Sequence, residues 1–257
     1  MYLPIPSQPD CVTAWREAVR QVDAQPGHEA YNVVIDVVDP VANASLRDGR
    51  VAAVNAFLAA HDKSVEAVAN TIFPEALYLR HGAPKFFEVF EKRVLEKVRR
   101  SGRWSGYYFE RMTSLPRTEG GAMNQLWDIV ERINDPKVKA LNKFELSVFD
   151  PLRDVDDSPY GGQCLSHGSF KLMPGDPRTL TLTVMYRNHF YIEKLLGNLI
   201  GLGRLMSFVA KEAKLKVGAL TVISTHALID QPASCRRSDL MDLFAKVDQA
   251  AVAPVTS

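Results

Sequence analysis

Of the three cysteines in this 257-residue chain, Cys11, Cys164 and Cys235, one stands where a thiol could act on a ligand. Cys164 follows Gly161-Gly162-Gln163, a glycine-rich approach that lets a ligand come close to the backbone, and it opens a stretch that reads as a strand. A sheet would fix the direction of its side chain, and a cysteine at a loop-to-strand junction is a candidate nucleophile. The same residue also reads as a buried, inert thiol, a common state of free cysteine. No CxxC pair and no His/Cys ligand spacing occurs, which leaves no sequence case for a metal site. An odd, sparse set of cysteines fits reduced thiols in a cytoplasm better than a disulfide framework.

The elements that must position such a residue follow from pattern. Residues 1–10 carry three prolines and read as an extended arm. Tyr31 to Val38 is β-branched and bounded by Asp39-Pro40, a strand. Helices are predicted from about Asp48 to Ala60, from an N-cap at Ser64, and from Pro84 to Arg100. Residues 113–121 read as a loop and Met123 to Ile133 as a helix. Phe144 to Phe149 is strand-like, and 150–163 is a long Asp/Pro/Gly loop ending at Cys164. A hairpin with arms of about 164–172 and 179–187 follows, its second arm alternating Leu180, Leu182 and Val184 with threonines. Tyr191 to Lys214 has the four-residue spacings of a helix buried on most sides, Leu220 to Ser224 is a last strand, and Asp239 to Val247 a terminal helix. Strands and helices without regular βαβ alternation predict an α+β fold in a single domain spanning 1–257.

Composition narrows the partners. With 31 basic and 30 acidic residues the net charge is +1, which argues against a general nucleic-acid or membrane surface. The run Lys92, Arg93, Lys97, Arg99, Arg100 and Arg103 reads as a solvated helix face or an anion site. No apolar stretch approaches the roughly 20 residues of a membrane helix. The opening MYLPIPSQPD lacks the basic-then-apolar order of a signal peptide.

The order of residues around Cys164 resembles the thymidylate synthase and pyrimidine nucleotide hydroxymethylase superfamily. Phe149-Asp150-Pro151 matches that family's Trp-Asn-Pro-like turn, and Asp154, Asp156 and Asp157 its acidic loop before the nucleophilic cysteine. Phe170 matches an aromatic six residues beyond the cysteine, and Tyr186-Arg187 the arginine reached through the hairpin. Arg187 to Asn198 spans eleven residues, the family's spacing from phosphate arginine to pyrimidine-reading asparagine. Leu215-Lys216-Val217-Gly218 and Ser224-Thr225-His226 continue the match. The likeness is close over 140–226 and looser over 30–135, where Pro74 to Gly82 resembles the helix of the catalytic glutamate and Tyr108-Phe109-Glu110-Arg111 a Tyr-Gly-x-Arg element. Order and spacing carry the resemblance rather than any single motif.

The resemblance implies a mixed β-sheet flanked by helices, in a homodimer packed through sheet faces. It implies Cys164 adding to C6 of a pyrimidine nucleotide monophosphate, with Glu75 managing protons at the ring. Arg187 and Asn188 would hold the phosphate, Asn198 the uracil edge and His226 the sugar, while Lys143 would reach the phosphate from the second subunit. The expected one-carbon donor is 5,10-methylenetetrahydrofolate, and Arg187 is expected to favour the thiolate. Taken singly, Arg187 also reads as a surface ion pair, Asn198 as a buried cap, His226 as a core histidine and Glu75 as a surface carboxylate. His167 and His189 receive no role. Four positions depart from the pattern: Asn188 replaces a serine, Phe190 the pterin-binding aspartate, Leu228 a sugar-contacting tyrosine, and Asn142-Lys143 an Arg-Arg pair. These changes leave three expectations: methylation or hydroxymethylation at C5, a related enzyme with another substrate or donor, or a non-catalytic nucleotide-binding or scaffolding protein.

Overall fold

A computed structural model describes residues 2–97, 107–152, 154–155 and 163–252. Among them the N-terminal arm is extended as expected. Its short strand β1 (Leu3–Pro4) pairs in parallel with β2 (Glu29–Val37). Between them lies α1 (Cys11–Asp23), a helix the pattern reading did not include. Asp10 caps it by accepting the Thr13 N–H at 2.8 Å, and Val12, Trp15, Val19 and Val22 form its buried stripe. Then come α2 (Gly49–Ala59), capped by Asp48, and α3 (Val65–Ile72), capped by Ser64. Both starts agree with the sequence.

Next are α4 (Glu75–His81) and α5 (Lys85–Val89). The single helix expected from Pro84 instead widens into a π-turn over Phe90–Leu95, and Arg99, Arg100 and Arg103 lie outside the described residues. Lys92, Arg93 and Lys97 are exposed, as a solvated helix face requires. After α6 (Tyr108–Thr113), the expected loop holds a two-residue hairpin, β3 (Leu115–Pro116) with β4 (Ala122–Met123). Helix α7 (Gln125–Asn134) starts two residues later than predicted, because Asn124 accepts the Trp127 N–H at 2.9 Å and caps it.

The second half carries most of the sheet. It comprises β5 (Phe144–Ser147), β6 (Leu165–Met173), β7 (Thr179–Tyr186), β8 (His189–Phe190), a π-turn at Tyr191–Leu195, α8 (Leu196–Glu212), β9 (Lys216–Leu228) and α9 (Arg237–Val252). The last strand and last helix are both longer than predicted. Strand order is β1-β2-β9-β7-β6-β5, with β8 added beside β9. β7 and β8 run parallel to β9, while β2, β6 and β5 make antiparallel pairs, so the sheet is mixed and the class is α+β.

The core lies on one face of this sheet. Leu180, Leu182, Val184 and Tyr186 of β7 point into it, beside Leu220 and Val222 of β9. Helix α8 fills its centre, and α3 packs closely on α8 through Gly197 and Gly201. A Cβ at Gly201 would lie 2.8 Å from the Ala69 carbonyl oxygen, so only glycine permits the approach. Phe73, Tyr78, Phe86 and Phe208 join the outer end of the core, with ring centroids 5.0 to 5.8 Å apart. On the opposite face Thr183 and Met185 are exposed and Thr181, Thr221 and Ile223 half-buried, the alternation of a strand. Among the described residues no helix is long and apolar enough to cross a membrane.

Candidate functional site around Cys164

The hairpin of β6 and β7 places Cys164 and Arg187 together. Leu165 pairs with Tyr186, and the next residues outward are Cys164 and Arg187. The Arg187 backbone N–H donates to the Cys164 carbonyl at 2.9 Å, while its Nε donates to the Gln163 carbonyl at 3.1 Å. Thr225 of β9 holds the same corner by donating to the Arg187 carbonyl at 2.9 Å. Cys164 is half-buried. Its thiol is pushed above the ordinary range by burial, against the opposing pull of Arg187 and Lys194. The expected net shift toward thiolate is therefore reversed, because loss of solvent outweighs two nearby cations.

A buried polar cluster adjoins the thiol. Tyr186 is fully buried, its hydroxyl pushed up by burial and then by the proximity of Tyr108 and Cys164. Its ring stacks on His189, with centroids 4.1 Å apart and planes at 13°. Nε2 of His189 lies 2.9 Å from Asn198 Nδ2, and Nδ1 lies 3.0 Å from Ser224 Oγ. Tyr191 donates to the same serine oxygen at 3.2 Å. Burial depresses the His189 pKa to about 3, so the ring is neutral. Asn198, at the third position of α8, is buried, and its Oδ1 has no hydrogen-bond partner among the described residues. A chain of contacts thus runs from Cys164 and Arg187 at the end of the hairpin to Tyr186, from Tyr186 to His189, and from His189 to Asn198 on α8. Ser224 completes it. Sequence spacing could not mark His189, because its partners come from β9 and α8 through tertiary packing.

Other candidates lie elsewhere or are engaged with protein. Glu75 forms an ion pair with Arg204 Nε at 3.2 Å, beside a cavity of about 510 Å³ that the 40–48 segment lines. Arg204 also holds Glu66 through two bonds of 2.9 and 2.7 Å. It follows Asn198 by six residues on α8, so it lies about 9 Å along the axis and about 120° around it. The structure therefore does not bring Glu75 together with Cys164. The guanidinium of Arg204 holds its carboxylate at a point on α8 about 9 Å along the axis from Asn198.

His226 and Asn188 are joined to each other. His226 Nδ1 lies 2.9 Å from Asn188 Oδ1, its Nε2 lies 3.0 Å from Glu29 Oε2, and Tyr31 stacks on the ring at 5.0 Å. Lys143 is exposed just ahead of β5. Its neighbour Phe144 pairs with Phe170, six residues along β6 from Cys164, which is about 20 Å in a strand. Within one chain, Lys143 and Cys164 are far apart. Phe190 and Leu228 pair across β8 and β9 and offer apolar side chains where the resemblance had a carboxylate and a phenol.

The acidic loop has a structural role at its start. Arg111 of α6, itself buried, meets Asp154 at 2.6 Å, and the second oxygen of Asp154 accepts the Asp150 N–H at 2.8 Å. That pair ties the beginning of the Cys164 loop to α6. Asp156, Asp157, Gly161 and Gly162 lie outside the described residues. No protein-family model matches the chain, and no curated protein matches it.

Proposed function

We propose that the chain binds a pyrimidine nucleotide monophosphate at Cys164 and transfers a one-carbon unit to its C5, as a divergent relative of the thymidylate synthase superfamily. The observation that supports this most is the chain of contacts that links the thiol and Arg187 through Tyr186 and His189 to the buried amide of Asn198. Arg187 suits the phosphate, and the amide of Asn198 suits the hydrogen-bonding edge of the base.

In this reading the sulfur bonds to C6 while the C5=C6 electron pair moves onto C5 and O4. Burial favours the protonated thiol, so its proton passes to water as the bond forms. The nucleophilic C5 would then bond to the electrophilic carbon of a one-carbon donor, whose bond to its carrier breaks with the electron pair leaving on the carrier. C5 loses its own hydrogen as a proton to water, and the C–H electron pair restores C5=C6 as the sulfur departs as thiolate. The resemblance implies methylenetetrahydrofolate as donor. Phe190 presents no acceptor for a pterin, so these residues do not fit that mode of folate binding and no step is assigned to it. Lys143 would assist only across a homodimer formed through the open sheet face, since about 20 Å of strand separates it from its own Cys164.

Two observations favour a second reading, a nucleotide-binding protein without chemistry. The thiol is shifted toward its protonated form, and Glu75 is engaged with Arg204. Reversible addition at C6 labilises the C5 hydrogen without any donor, so one experiment separates the readings. Protein incubated with C5-tritiated UMP, dUMP, CMP and dCMP should release tritium to water from at least one, and Cys164→Ser should not. Binding without release from any of the four would establish the non-catalytic reading, and release by Cys164→Ser would remove the thiol mechanism.

A further inference from the structure

The cavity of about 510 Å³ between α8 and the β2–α2 connection has neither Cys164 nor Arg187 in its walls. Its volume suits a small-molecule ligand. The 40–48 connection that covers it is fixed along its length. Asp39 accepts the N–H groups of Val41 and Ala42 at 3.1 and 3.2 Å, and Asn43 donates to Asp10 at 2.8 Å. The Asp48 N–H donates to the Ser45 carbonyl at 3.1 Å. Pro40 rests on α8 so closely that a Cβ at Gly203 would lie 2.2 Å from its carbonyl oxygen. The cavity is therefore largely formed before anything enters it.

Its walls carry unlike charges. On α8, the one guanidinium of Arg204 meets two carboxylates, Glu66 through bonds of 2.9 and 2.7 Å and Glu75 at 3.2 Å. One positive charge against two negative ones leaves that wall negative. The second oxygen of Glu75 has no hydrogen-bond partner among the described residues. On the connection, Arg47 is exposed and makes no ion pair among the described residues. Asp48, the remaining acid at the cavity, is matched by Arg50 at 2.6 Å. The charges thus sum to zero, with an open acceptor at Glu75 and an open cation at Arg47.

We propose that this cavity is a second ligand site that binds a small amino acid, its carboxylate held by Arg47 and its ammonium by Glu75. A guanidinium matches a carboxylate through paired N–H donors, and a carboxylate oxygen accepts from an ammonium. Val41 and Ile200 offer apolar surface to the carbon skeleton. A zwitterion matches walls whose charges cancel, whereas a nucleotide would bring only anionic groups to one open cation beside an acidic wall. The site is independent of the pyrimidine reading, because no residue of the Cys164 cluster lines it.

Titration calorimetry with five probes tests the proposal. L-Leucine, β-alanine and 5-aminopentanoate carry both charges at different separations, while pentanoate and pentylamine carry one each. At least one amino acid should bind, about tenfold or more tighter than either singly charged probe. Arg47→Ala and Glu75→Gln should each weaken that amino acid by about tenfold or more, and Arg47→Lys should recover part of the loss. Arg47 is exposed and Glu75 is 40% exposed, so these variants should fold, which an unchanged urea midpoint checks. Arg187→Ala should leave the binding unchanged. Absence of binding by all three amino acids at about 10 mM overturns the proposal, as does equal binding of pentanoate or pentylamine. Binding that survives both Arg47→Ala and Glu75→Gln would also overturn it, and binding lost in Arg187→Ala would place the ligand beside Cys164 instead. None of these outcomes bears on tritium release at Cys164, so the two readings fail separately.

Discussion

The backbone N–H of Arg187 donates to the carbonyl of Cys164 over 2.9 Å, so the guanidinium and the thiol come from residues fixed to each other by the hairpin. Arg187 lowers the thiol pKa, yet burial raises it further. Cys164 should therefore alkylate slowly with iodoacetamide near pH 7 and faster as the pH rises. Arg187→Ala removes the opposing cation and should slow the reaction several-fold more. Peptide mass spectrometry resolves this from Cys11, which is fully buried and should stay unmodified. Rapid alkylation of Cys164 that Arg187→Ala leaves unchanged would contradict the electrostatic assignment.

Gly201 supports a second prediction, about stability. A methyl group there would meet the Ala69 carbonyl oxygen at 2.8 Å and the Ile72 Cβ at 3.0 Å. The first is backbone and cannot rotate away, so α3 would have to shift from α8. Gly201→Ala should destabilise the fold by about 1–3 kcal/mol, read as a lower urea midpoint. A midpoint at or above that of the natural protein would show that the two helices yield more easily than their packing implies.

Asp230 gives the fold a pH dependence of definite sign. Its carboxylate accepts the N–H groups of Ile192 and Glu193 at 2.8 and 3.1 Å, at the start of the turn leading into α8. Burial raises its pKa from 3.8 to about 6, and the charge of Glu193 adds to the rise. The folded state then binds more protons than the unfolded state between those values. This group's contribution is fully present below about 3.8 and is lost as pH rises to about 6. The two-unit span corresponds to an upper limit of about 3 kcal/mol. Denaturation across that range should show stability decreasing more steeply with pH in the natural protein than in Asp230→Asn. Equal slopes would show that the carboxyl titrates alike in both states.

Local signals were the legible ones. Ser64 and Asp48 announced their helices because capping is decided within three residues, and the β6–β7 hairpin followed from alternation and a turn-rich MPGDPR segment. Helix α1 has an equally local cap in Asp10, but the prolines of the arm before it mask that signal. The proximity of Cys164 and Arg187 followed from the hairpin. The place of Glu75 did not, because it depends on Arg204, which is 129 residues away in sequence (204 − 75). The sign of the Cys164 shift was equally hidden, since spacing reveals a neighbouring cation but not how far solvent is excluded. His189 illustrates the same limit, with hydrogen-bond partners nine residues ahead on a helix and 35 ahead on a strand.

The Arg111–Asp154 pair should couple the fold to the site. The two side chains are 10% and 2% exposed and meet at 2.6 Å, and Asp154 also receives the Asp150 N–H. Removing Asp154 leaves the buried Arg111 facing only Asp150 at 4.0 Å, at a cost of up to about 3–5 kcal/mol. Asp154→Ala should therefore destabilise the chain by that order. Asp154→Asn, which keeps an acceptor for one neighbour, should cost less. Because the pair ties the approach to Cys164 onto α6, Asp154→Asn should also change the alkylation rate of Cys164, whereas Gly201→Ala should not. Measuring both rates in variants shown to be folded separates a general loss of stability from a specific loosening of this loop. If the two variants alter the rate equally, the pair serves the fold alone.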